Sequence, residues 1–266
     1  MKYQIKAFSV YEKGHYRDTQ EDSIFPPYQQ ATEDTRLFMV CDGMGGHEAG
    51  EIASQAVCEA MGRAIQDIAP SEEVLTEEGL AQALAAAFDL LDKRDSNPES
   101  EKKMGTTMTL LKLHSEGATI AHIGDSRVYQ FRINADGKME VIHKTRDHSL
   151  VNDLLKIGEL TPEEAENFPR KNVITRAMMS HMERRSKADV TQITDVQAGD
   201  YFLLCSDGML EHTSDDNLCY MIGMSDASDE QKILMLKNTC EDNHDNHSAY
   251  LIHILDVRGS VKTATD

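Results

Sequence analysis

The chain has 266 residues, 40% of them hydrophobic and 27% charged, with a formal net charge of −19. That composition is globular and not disordered, and the negative charge argues against nucleic acid, whose phosphates would be repelled. No run of about 18 apolar residues occurs, so no transmembrane helix is expected, and the first six residues lack the apolar core of a signal peptide. In chain order, residues 2–9 alternate as a strand, and Leu37 to Cys41 form an apolar run that stops at Asp42-Gly43. Helical spacing follows over 48–68 and 77–93. Strands at 106–114 and 118–123 flank a turn at Ser115-Glu116-Gly117, and strands at 127–133 and 138–143 flank Asn134 to Gly137. Residues 146–185 read as helical and irregular, with a helix start at Thr161-Pro162. Strands at 190–197 and 200–206 are expected to close as a hairpin around Ala198-Gly199-Asp200. Helical pieces at 215–222 and 228–241 precede a last strand, 248–256.

No internal repeat or Pro/Gly-rich linker divides the chain, so one domain over 1–257 is expected, followed by a short polar tail, 258–266. Strands arriving as local hairpins, with helices between them, imply an α+β fold: an antiparallel β-sandwich flanked by α-helices, in four layers αββα. The five cysteines show no paired spacing. Cys41 and Cys205 lie in apolar runs and read as buried free thiols, which fits a reducing cytoplasm. The fourteen methionines read as core filler.

The carboxylates carry the functional argument. Asp42, Asp125 and Asp207 each follow a predicted strand, Asp245 precedes one, and Glu21-Asp22 precede another. A sandwich can bring such ends to one edge. Two carboxylates about 4 Å apart repel by roughly 4 kcal/mol at an effective dielectric near 20, so either their pKa values rise or a divalent cation joins them. Oxygen ligands select hard ions such as Mg²⁺ or Mn²⁺ over zinc. The string Asp42-Gly43-Met44-Gly45-Gly46-His47 permits close backbone approach to an ion but is neither a P-loop nor a dinucleotide fingerprint.

With Arg17 to Asp22, Gly105-Thr106-Thr107, Gly124 to Arg127, Thr145 to Leu150, Val173 to Ala177, Ser206-Asp207-Gly208 and Asp245 to Ser248, that string forms an ordered set. The set resembles the metal-dependent protein phosphatases of type 2C, in their compact bacterial form. The resemblance implies a serine/threonine protein phosphatase that hydrolyses phosphoserine and phosphothreonine by direct attack of a metal-bridging water. It implies two Mn²⁺ or Mg²⁺ ions per subunit, held by Asp42, the Gly43 carbonyl, Asp207 and Asp245. Glu21 and Asp22 would hold metal-bound waters, Arg17 would grip the substrate phosphate, and Asp125 with Asp207 would hold a weaker third ion. Residues 150–185 would be the family's variable flap. Phosphorylated proteins are the implied substrates and a cognate serine/threonine kinase the implied partner, with the chain a cytoplasmic monomer without membrane or nucleic acid partners.

Three positions depart from the wider family pattern. Met44 stands where eukaryotic members carry a histidine, which leaves protonation of the leaving group to metal-bound water or to His47. Ser248 replaces a threonine, and Ala177-Met178-Met179 lacks the glycine that usually follows the Thr-Arg string. A catalytically inactive phosphoprotein-binding regulator on the same fold is the alternative function. A zinc or nickel site at His244, His247 and His253 lacks a complete zinc spacing, and these are expected to be surface histidines.

Overall fold

The computed structural model describes residues 2–45, 49–100, 103–166, 168–170 and 173–259. In chain order come β1 (Lys2–Glu12), β2 (Asp22–Phe25), β3 (Leu37–Met44), α1 (Ala49–Ile68) and α2 (Glu77–Arg94). Then follow β4 (Gly105–Thr106), β5 (Met108–His114), β6 (Gly117–Ile123), β7 (Arg127–Ile133) and β8 (Met139–Lys144). The third stretch holds α3 (Leu150–Ile157), α4 (Pro162–Glu166), β9 (Met178–Met179) and β10 (Asp189–Ile193). Last come β11 (Tyr201–Cys205), α5 (Asp215–Gly223), α6 (Asp229–Asn238) and β12 (His247–Arg258).

One sheet runs β1-β12-β11-β7-β8, and the other runs β10-β6-β5-β3-β4-β9 with β2 also on β3. Every pairing among the described residues is antiparallel. Successive side chains of a strand point to opposite faces, and the central strands here are covered on both. Phe38 and Val40 of β3 join Leu111, Phe202, Leu204 and Tyr250 between the sheets. Met39 and Cys41 point the other way, into the layer closed by Val57 and Met61 of α1 and Leu91 of α2. Leu203 and Cys205 of β11 meet Leu218 and Ile222 of α5 and Leu236 of α6 in the third layer. The expected αββα sandwich is therefore the observed architecture.

The outer helices carry their own start signals. Thr76 accepts the Gly79 N–H at 3.0 Å before α2, whose first turn holds Glu77 and Glu78 and whose last holds Lys93 and Arg94, each suited to its end of the helix dipole. Ser228 and Gln231 form a capping box on α6. No helix among the described residues is long and apolar enough to cross a membrane.

The hairpin expected over 190–206 does not form. β10 pairs with β6 in one sheet, while β11 lies between β7 and β12 in the other. The intervening segment crosses the sandwich and is held by Asp200, which is fully buried. Its carboxylate accepts hydrogen bonds from Arg132 Nε at 2.7 Å, Gln130 Nε2 at 2.9 Å and the Gln197 N–H at 2.9 Å. Cys41 and Cys205 are buried free thiols, as expected. Met39, Met61 and Met108 fill the core, but Met182 is half exposed, so the methionines are not uniformly interior.

Candidate active site

The predicted carboxylates meet at one edge of the sandwich because β2, β3, β11 and β12 end there. Asp22 lies directly opposite Asp42 in the β2–β3 ladder. Two threonines fix the backbone at Asp42: its N–H donates to Thr107 Oγ1 at 2.9 Å, and its carbonyl accepts from Thr106 Oγ1 and the Thr107 N–H, both at 2.8 Å. Gly43 allows the next approach. A Cβ there would lie 2.1 Å from the Gly50 carbonyl oxygen and 2.4 Å from that of Glu21, so only glycine fits.

Asp22 is buried and accepts from Ser206 Oγ at 2.8 Å. Ser206 also joins β11 to β12: its N–H donates to the Ser248 carbonyl, and the Ser248 N–H donates to its hydroxyl, each at 3.0 Å. This places Asp207, at the start of a short 3-10 turn (Asp207–Met209), beside Asp42. Asp245 sits at the entry to β12, and Arg17 Nη2 donates to its Oδ2 at 2.6 Å. Glu21 lies near the same guanidinium, 3.8 Å from Arg17 Nη1.

Electrostatics mark the cluster. Burial pushes Asp42 well above the usual carboxylate range, with the charges of Asp22, Asp207 and Asp245 adding to it. Burial, then Asp245, raises Asp207. Asp22 is pushed up to about 7, by burial above all. Asp125, beyond Gly124 at the end of β6, is also pushed up to about 7 by burial and then by Asp207 and Asp147. Its Oδ1 is buried with no hydrogen-bond partner. An all-oxygen cluster with an orphaned carboxylate oxygen, whose members take up protons unless a cation offsets their charge, fits hard divalent cations.

Arg17, Asp125, Asp207 and Asp245 line a cleft of about 740 Å³, whose other wall includes Val151 and Leu155 of α3. The structure thus brings together Arg17, Glu21, Asp22, Asp42, Gly43, Asp207 and Asp245, with Asp125 alongside. His47 and Gly46 lie outside the described residues. The histidine expectation needs correction. His247 is buried, with Nδ1 3.3 Å from the Asp245 carbonyl. His253 is partly buried, stacked on Tyr201 and paired with Asp229 at 2.8 Å. Only His244 is at the surface; β12 carries the other two inward.

Several residues that hold this site had no role assigned from sequence. Asn246 is buried; its Oδ1 accepts the Glu21 N–H at 2.8 Å, and its Nδ2 donates to the carbonyls of Lys13 at 2.8 Å and Thr19 at 2.9 Å. Thr107 and Ser206 set Asp42 and Asp22, as described. Arg127 binds Asp147 through two 2.7 Å hydrogen bonds, which fastens the approach to α3 beside Asp125. All four lie inside or next to the motif strings, and that adjacency was the only signal in the sequence.

Asp125 yields a pH prediction for metal-free protein. Its folded pKa of about 7 exceeds its ordinary 3.8, so the unfolded chain releases the proton first as pH rises. The folded state therefore loses stability between about pH 4 and 7, and the loss is complete above it. Burial lowers His114, His143 and His148 and acts in the opposite direction, so the comparison is with Asp125→Asn, which retains them. Urea unfolding in EDTA should show the wild type falling behind Asp125→Asn from pH 5 to 7.5; parallel profiles would refute the assignment.

The four-layer αββα sandwich is the fold of solved bacterial serine/threonine phosphatases. The chain belongs to the protein phosphatase 2C family: the family profile of that description matches residues 14–238. It is 33% identical over 207 residues to the serine/threonine protein phosphatase PstP of Mycobacterium tuberculosis, covering 78% of this chain and 37% of that protein. It is 38% identical over 174 residues to the protein phosphatase PhpP of Streptococcus pneumoniae, covering 65% of this chain and 67% of that one. The crystal structure of the PstP catalytic domain in complex with two manganese ions superposes with a TM-score of 0.74 at 30% identity, covering 95% of this chain and 99% of that one. The chain thus spans just over a third of the full length of PstP.

Proposed function

We propose that this chain is a metal-dependent serine/threonine protein phosphatase acting on phosphoserine and phosphothreonine in proteins, with residues 1–257 as one catalytic domain and 150–185 as its flap. The observation that carries the reading is the meeting of Asp42, Asp207 and Asp245 at one sheet edge, where burial and neighbouring carboxylates raise Asp42 and Asp207. Asp42, the Gly43 carbonyl, Asp207 and Asp245 would hold two Mn²⁺ or Mg²⁺ ions, and Asp125 with Asp207 a weaker third. Such ions supply a water of lowered pKa and neutralise charge on phosphoryl oxygens.

The chain's own residues do the rest. Arg17 stands at the cleft edge with a partly exposed guanidinium, and its fork matches phosphate oxygens. Glu21 and Asp22 would hold metal-bound waters, and Thr107, Ser206 and Asn246 fix the backbone and side chains around the carboxylates, so little reorganisation is left for the reaction. Met44 offers no proton, so the serine or threonine oxygen leaves without help from that position.

The test is turnover of a phosphothreonine peptide with Mn²⁺ or Mg²⁺. Release of inorganic phosphate that stops on adding EDTA is expected. Tight peptide binding without turnover under every metal condition would refute this reading and favour the inactive phosphoprotein-binding regulator.

A further inference from the structure

A second group of donors stands at the mouth of the same cleft. Glu211 and His212 follow the 3-10 turn that begins at Asp207, and His244 immediately precedes Asp245. The two loops are tied together. Asn243 Nδ2 donates to the Gly208 carbonyl, and the His244 N–H donates to Glu211 Oε2 at 2.7 Å. Glu211 Oε1 lies 2.9 Å from His244 Nδ1 and 4.0 Å from His212 Nε2. One donor atom from each of the three residues lies within 4.8 Å of the others. Tyr16 stacks on the His244 ring with centroids 4.6 Å apart and planes 23° from parallel, which restrains the imidazole from its other side.

Zinc bonds of about 2.0–2.2 Å place the ligand atoms of a tetrahedral ion roughly 3.4 Å apart. Exposed side chains at these separations reach that spacing by small rotations. Two imidazoles and one carboxylate are a donor set for zinc-type ions, whereas the aspartates deeper in the cleft offer only oxygen. The chain's charge of −19 favours cations at its surface.

The other histidine cluster is unsuited to this role. His122 and His148 stack face to face, 4.5 Å apart and 7° from parallel, so their in-plane lone pairs do not converge. His148 Nδ1 already accepts the Gly124 N–H, and Arg176 pairs with Asp189.

We infer that Glu211, His212 and His244 form a zinc-type cation site at the cleft mouth, separate from the aspartate centre. Glu211 and His244 line the cleft, so an ion held there stands beside the route of an incoming phosphate. The site is defined by binding alone and holds whether or not the chain is a phosphatase.

The test is zinc uptake by the full chain under saturating Mn²⁺, by equilibrium dialysis or calorimetry, in wild type, His212→Ala and Asp207→Asn. One zinc per chain is expected in wild type and in Asp207→Asn, with affinity at least about 10–100-fold weaker in His212→Ala. His212 is exposed, and its removal should leave Mn²⁺-dependent turnover unchanged when zinc is absent. Equal binding in wild type and His212→Ala overturns the inference, as does zinc lost from Asp207→Asn alone. No uptake by the wild type overturns it too.

Discussion

Asp207→Asn is expected to lower Mn²⁺-dependent turnover of a phosphothreonine peptide by about 10³-fold or more, because the cation contribution to such a reaction is several kcal/mol and each 1.36 kcal/mol is tenfold. The amide is nearly isosteric, so the loss reflects charge and not shape. A second readout separates loss of function from loss of fold. In metal-free protein the charge of Asp245 adds to burial in raising Asp207, and the amide removes that repulsion. The variant in EDTA should therefore melt higher than wild type in EDTA, by about 2–4 °C for each kcal/mol of repulsion relieved. Adding Mn²⁺ should raise the melting temperature of wild type more than that of the variant. Full activity in Asp207→Asn, or a smaller metal-induced shift in the wild type, would remove Asp207 from the site.

Asn246→Ala is expected to act through position alone. The amide joins β12 to the loop that carries Arg17 and Glu21, using three hydrogen bonds to backbone groups. Truncation leaves those groups unpaired in a buried place, at about 1–3 kcal/mol each where water does not replace the amide. Freed of its anchor, the loop shifts Arg17 and Glu21 relative to Asp245, and displacements near 1 Å cost on the order of 10²-fold in rate. Both turnover and melting temperature should fall, and the loss should persist at saturating Mn²⁺. Rescue of turnover by excess Mn²⁺ would show instead that Asn246 serves metal affinity. Unchanged kinetics and stability would refute the anchoring role.

The contrast between Asp207 and Asn246 shows what sequence reading reaches. Asp207 was legible because a charged residue that ends an apolar strand is conspicuous, and its neighbours in the motif order gave it a role. Asn246 was equally close to a motif, but its work depends on the carbonyls of Lys13 and Thr19, more than 200 residues away in the chain. No spacing rule registers such a contact. The hairpin over 190–206 failed for a related reason. Alternation tells which face of a strand is apolar, but both sheets offer the same buried face, and the partner is chosen by tertiary features such as Asp200 and Arg132. His247 and His253 were misread as surface groups because their strand, β12, is central and covered on both faces.

The acidic strand ends, the sandwich class, the helix starts and the family were all carried by local order along the chain. Convergence was decided only in three dimensions. The β2–β3 register sets Asp22 against Asp42, the Ser206–Ser248 link brings Asp207 to Asp245, and the cleft wall joins α3 to the aspartates. The physical reason is burial. Local pattern states where charge must stop and strands must end, whereas desolvation and repulsion among carboxylates, which raise their pKa values and create the demand for cations, exist only once the sheets have packed.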